Sequence, residues 1–135
     1  IYMSLFKKIT ASIFVLASSL AQSDDLAGRW TWDENSESSS FTVHIDRIES
    51  KYVGWYCAVG IYGARVDCSP NKKKSFEFPF TGINIHEFKF VTNYSGSVGE
   101  VQLTLLNNKL YWNIVGDPYG EHYAQTQAVL SKTLQ

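Results

Sequence analysis

The residues able to do chemistry are few and scattered. Cys57 and Cys68 stand eleven positions apart in the glycine-rich segment YVGWYCAVGIYGARVDC, residues 52–68. His44, His86 and His122 fall in three separate apolar-alternating runs. Two thiols at that distance do not make a C-x-x-C redox motif, and a finger-type zinc site needs two further ligands at short spacing. Three histidines can ligate zinc together, but no local spacing groups these, so no metal and no cofactor is expected. No G-x-S-x-G elbow marks a nucleophilic serine. Asp33-Glu34-Asn35-Ser36-Glu37 alternates oxygens as a calcium loop begins, yet Ser38 stands where glycine is required and His44 where the bidentate Glu belongs. The thirteen Asp and Glu residues offer no marked pair for glycoside hydrolysis. These patterns point to a protein without catalysis of its own.

What the cysteines do follows from register. A hairpin folded about Tyr62-Gly63 sets Ile61 opposite Ala64, Val59 opposite Val66 and Cys57 opposite Cys68. Antiparallel neighbours have Cα atoms about 4.5–5.5 Å apart, within reach of a disulfide. The same register gathers Val53, Trp55, Cys57, Val59, Ile61, Ala64, Val66 and Cys68 on one face, and Tyr56, Ala58, Gly60, Arg65 and Asp67 on the other. A structural disulfide between Cys57 and Cys68 is therefore expected.

An oxidising compartment fits the start of the chain. After Met3 come Lys7-Lys8, an apolar run, and Ser19-Leu20-Ala21 with small residues at a cleavage site. That layout is a secretory signal peptide over residues 1–21, with Ile1 and Tyr2 upstream of Met3. The run is short of the roughly 20 apolar residues a membrane span needs, so no span is expected. No cysteine stands at the cleavage site, and no lipid anchor is expected. The two-lysine start has a bacterial character, giving a periplasmic or secreted protein of the envelope. Removing Lys7 and Lys8 leaves ten basic against thirteen acidic residues, a net charge of −3. Nucleic acid is thereby excluded as a partner, because its binders carry a basic stripe; Lys72-Lys73-Lys74 reads as a solvated loop. Asn93-Tyr94-Ser95 fits a glycosylation acceptor, which matters only in a eukaryotic host.

Residues 22–135 make one domain of short alternating runs with no sustained helical period. Nine strands are expected: 26–32, 40–48, 51–59, 64–68, 75–80, 86–92, 98–106, 109–115 and 122–132. Asn107-Asn108 marks a second hairpin, since Asn tolerates the positive φ of a type I′ turn. Around it Leu105 meets Leu110, Leu103 meets Trp112 and Val101 meets Ile114, while Gln102, Thr104, Tyr111 and Asn113 share the opposite face. An all-β antiparallel meander of eight or nine strands, closed into a barrel or a barrel-like sandwich, hides its edges best.

Gly28-Arg29-Trp30 on the first strand resembles the G-x-W motif of lipocalins and avidins, and Gly54-Trp55-Tyr56-Cys57-Ala58-Val59-Gly60 resembles the third strand of avidins. The resemblance covers about 35 residues and implies a calycin-type barrel with Trp30 plugging one end. Biotin binding does not carry over. The position of the ureido-binding Asn is Trp32 and that of the following Ser is Ala58; only Tyr56 survives. Avidin-like geometry turns Tyr56, Arg65 and Asp67 into the lumen. Apolar segregation turns Val59, Val66 and the cysteines inward instead, and is the expected arrangement, because a small barrel fills its interior with side chains.

Aromatic residues make up 15% of the chain. Phe76, Phe78 and Phe80 fit a core face, whereas Tyr62, Tyr94, Tyr119 and Tyr123 fall in or beside turns, where aromatic side chains can anchor a partner. Asp117-Pro118-Tyr119-Gly120-Glu121 is the strongest loop candidate. The expected function is non-enzymatic binding. One form is a calycin-like barrel for a small molecule or glycan, with Trp32, Tyr56, Arg65 and Asp67 as candidate ligand contacts. The alternative is an inhibitor or immunity-type protein that blocks a cell-wall hydrolase or toxin, with Tyr62 and Tyr119 as partner contacts. An open lumen favours the first, and a packed lumen with projecting tyrosines the second.

Overall fold

The computed structural model describes residues 25–133; the segment read as a signal peptide lies outside them. Nine strands follow one another: β1 Gly28–Trp32, β2 Ser40–Ile48, β3 Lys51–Gly60, β4 Arg65–Cys68, β5 Phe76–Pro79, β6 Ile85–Val91, β7 Val98–Leu106, β8 Lys109–Gly116 and β9 Gln127–Lys132. A single 3-10 turn, Pro70–Lys72, joins β4 to β5. All pairings are antiparallel, in the order β2-β1-β9-β8-β7-β6-β5-β3-β4, and β2 also pairs with β3. The result is a closed eight-strand barrel with β4 as an additional strand.

The ring has one thin seam. β3 pairs with β2 from Lys51 to Val59, but its other edge is shared: Lys51 to Gly54 pair with β5 and Cys57 to Gly60 with β4. β5 meets β6 through a single ladder pair, Phe76 with Phe90. Above that point the wall between β4 and the β6–β7 turn is joined by side chains. Loops 33–39, 61–64, 92–97 and 117–126 share this upper end, and the turns at 49–50, 80–84 and 107–108 form the lower one.

Both expected hairpins have the expected registers. Cys57 faces Cys68 and Val59 faces Val66; Leu105 faces Leu110 and Leu103 faces Trp112. Asn107 and Asn108 have φ of 52° and 65°, as a type I′ turn requires. Residues 122–126 are loop, so β9 starts later than the alternation suggests.

The lumen is filled. Trp112 lies at its centre, with ring centroids 5.2 Å from Phe41, 5.6 Å from Phe90, 6.2 Å from Tyr56 and 6.3 Å from Phe76. Trp30 is buried toward the lower end, its indole N–H donating to the Leu26 carbonyl at 2.9 Å and the Lys132 ammonium 5.3 Å over its ring. Phe76 and Phe78 join this core, whereas Phe80, beyond the end of β5, is exposed under the Arg47 guanidinium.

The facing expected for the β3–β4 hairpin is overturned. Tyr52, Tyr56, Ala58 and Asp67 are buried, and Ile61 and Val66 are more than half exposed. The avidin-like orientation holds for Tyr56 and Asp67; Arg65 is exposed. The cause is steric. Gly54 faces inward, and a Cβ there would stand 2.3 Å from the Phe76 ring and 2.6 Å from the His44 carbonyl. The inward positions of β3 must therefore alternate very small with very large, which a count of apolar residues does not register.

Candidate functional site

Asp67 organises the upper end. Its side chain is fully buried, and such a carboxylate needs hydrogen bonds inside the protein. The Tyr56 hydroxyl donates to Oδ2 at 2.8 Å, and the Tyr123 backbone N–H donates to the same oxygen at 2.9 Å. The N–H groups of Asn93 and Tyr94 donate to Oδ1 at 3.1 and 2.9 Å. One side chain on β4 thus ties the barrel wall, the β6–β7 turn and the β8–β9 loop together across the seam. Burial, and then the charge of Asp67, push the Tyr56 phenol far above its usual pKa. The Cys57–Cys68 disulfide fastens β4 to β3 one residue from Asp67.

The loops held this way present aromatic side chains outward. Tyr62 is 79% exposed and Tyr119 fully exposed. Tyr119 stands between two fixed residues. Pro118 is buried where a Cβ on Gly99 would come within 2.8 Å of its ring, and a Cβ on Gly120 would stand 2.3 Å from the Ser95 hydroxyl. Ser95 in turn hydrogen-bonds Thr92 and Ser97 at 3.0 and 2.8 Å. On the β3–β4 turn, Ile61 and Tyr62 both have φ of 51°, a region a β-branched residue rarely occupies. The Tyr62 N–H donates to the Ser38 carbonyl at 3.0 Å, tying this turn to the β1–β2 loop. Behind these tips, Tyr94 packs edge-on against Tyr123 at 5.2 Å, and the Tyr123 hydroxyl donates to Glu121.

Of the sequence-derived ligand candidates, Tyr56 and Asp67 are brought together, but inside the core and bonded to each other. Trp32 is half-buried against the core, and Arg65 turns to the surface, where its guanidinium donates to the Ala64 carbonyl. The partner candidates Tyr62 and Tyr119 lie at the same end. The backbone donors of Asn93, Tyr94 and Tyr123 escaped the sequence reading, since nothing in residue type marks an amide that will cap a distant carboxylate. The Asn93 side-chain amide, at the acceptor motif, donates to Ser69.

The histidines occupy three different settings. His44 is stacked on Trp55 at 4.9 Å on the outer wall, and burial followed by the nearby Arg29 charge lowers its pKa. His86 is packed against Phe78 and Tyr52, and burial lowers its pKa also. His122 belongs to the β8–β9 loop. Among the described residues no group of three or more His, Cys, Asp or Glu is placed to hold a metal ion, and no helix is long and apolar enough to cross a membrane.

These features define a small disulfide-bonded β-barrel, filled at its centre and consistent with a calycin-like architecture. Comparison with protein-family models, with curated proteins and with solved structures gives no match.

Proposed function

We propose that this chain is an exported, non-enzymatic binding protein that engages a protein partner through its upper-end loops, with Tyr62 and Tyr119 as anchors. The observation that carries this reading is the contrast between a lumen filled around Trp112 and a tyrosine fully exposed on a braced loop. Lipocalin-style capture of a small molecule needs interior space. Two pockets at the lower end, one lined by Asp25, Arg47, Tyr52, Phe80 and Asn84 among others and one by Trp30, Leu105 and Lys132 among others, offer only about 180 and 210 Å³, below the roughly 300–1,000 Å³ of ligand pockets. Aromatic anchors dominate protein interfaces when they insert into a partner's pocket, and bracing lowers the entropy lost on binding. The disulfide supports export, since such bonds persist in oxidising compartments.

A projecting tyrosine loop of this kind suits an inhibitor or immunity role, entering the cleft of a cell-wall hydrolase or a toxin. The test is affinity capture from envelope extract with the wild-type protein and with Tyr62→Ala/Tyr119→Ala. The wild type should retain a specific enzyme and the double variant lose it, with an unchanged melting temperature. Equal retention by both proteins would refute the role of these loops.

A further inference from the structure

The outer wall of β7, β8 and β9 carries a row of uncharged polar side chains. In register, Gln102 faces Asn113 and Asn113 faces Gln127, so three side-chain amides form one row across three strands. The next row is Thr104, Tyr111 and Val129. Their neighbours along each strand, Val101 and Leu103, Trp112 and Ile114, and Ala128, are core residues, which turns both rows outward. With strands about 4.8 Å apart, the amide row is about 10 Å long.

These rows, with Glu34, line a groove of about 450 Å³. Its size lies within the range of ligand pockets. Next to Glu34, the Asp33 carboxylate accepts from the Lys109 ammonium at 2.9 Å and from the Ser131 hydroxyl at 2.6 Å, which anchors this part of the β1–β2 loop on β8 and β9. The side-chain hydrogen bonds on the outer face of this wall, among the described residues, are made by Lys109 and Ser131, and none by the three amides. Elsewhere the outward faces are mixed, with Lys51 and Glu77 across β3 and β5, Glu87 and Lys89 on β6, and the stacked His44 and Trp55 on β2 and β3.

We propose that this groove binds a neutral glycan. Each amide offers a donor pair and an acceptor, which matches hydroxyls that both donate and accept. Tyr111, partly exposed, supplies a ring face for the C–H side of a sugar, as aromatic side chains with a polar tip do at wet sites. Glu34 accepts from a hydroxyl pair. The groove has no cationic lining residue, so an anionic or sulfated chain gains nothing there. Apart from Glu34, this site lies on strands β7–β9 and not on the upper-end loops, and it stands without the tyrosine anchors.

The test is NMR observation of the side-chain NH₂ groups of Gln102, Asn113 and Gln127 during titration of the full protein with N,N′-diacetylchitobiose, cellobiose and maltose. A sulfated disaccharide is the anionic control. At least one neutral sugar should shift these signals saturably at millimolar concentration, the range of a shallow site. Asn113→Ala and Tyr111→Ala should each weaken that response at least tenfold while leaving the melting temperature and capture by the tyrosine loops unchanged. No response to any neutral disaccharide, shifts confined to other parts of the barrel, or an equal response to the sulfated sugar overturns the proposal.

Discussion

A carboxylate without solvent contact is stable only if its oxygens are fully occupied. Asp67 meets that condition with one hydroxyl and three backbone donors from two distant loops. Removing a single donor to a buried charge costs about 1.5–3 kcal/mol, so Tyr56→Phe should lose about that much in chemical denaturation and retain the fold. The pH dependence has a definite sign. The phenol of Tyr56 is held above its usual value by burial and by Asp67, and that of Tyr52 by burial and then by Asp25. A raised folded-state pKa contributes stability fully below the ordinary tyrosine value of about 10 and loses it above. Stability should therefore fall between about pH 9 and pH 11, and less steeply in Tyr56→Phe. Denaturation curves at the two pH values check this, and an identical fall in both proteins would show that Tyr56 titrates normally.

At the scale of elements, the β3–β4 hairpin fixes the seam. Replacing both cysteines (Cys57→Ala/Cys68→Ala) removes a cross-link worth about 3 kcal/mol in the chain-entropy account. The melting temperature should drop while the far-ultraviolet spectrum stays that of a β-barrel, and exchange of the Asn93, Tyr94 and Tyr123 amides should quicken as β4 loosens. An unchanged melting temperature would show that the bond contributes nothing. Register was legible in this hairpin because alternation has a period of two, and only one pairing both aligns the cysteines and segregates the side chains. Facing was not legible. Both faces carry apolar residues, and what decides between them is volume: Gly54 must face inward to admit Phe76, and Tyr56 and Asp67 share its side. The groove was partly legible, since Gln102, Thr104, Tyr111 and Asn113 share a face around the Asn107-Asn108 turn. Gln127 and Glu34 join them only through the tertiary pairing of β8 with β9 and the anchoring of the β1–β2 loop.

At the scale of the whole molecule, closure and filling determine where function can lie. Eight strands enclose an interior just wide enough for side chains, and the aromatic cluster around Trp112 occupies it. The recognition proposed above therefore uses the outside of the barrel, through the tips of the upper loops and the wall of β7–β9. The most direct measurement is a hydrogen-exchange footprint of the protein bound to the partner it captures from envelope extract. Added protection confined to residues 61–64 and 117–121, with β5, β6 and the lower-end turns unchanged, is the expected result. Protection centred on the lower end, or on strands lining the lumen, would contradict recognition by the tyrosine loops.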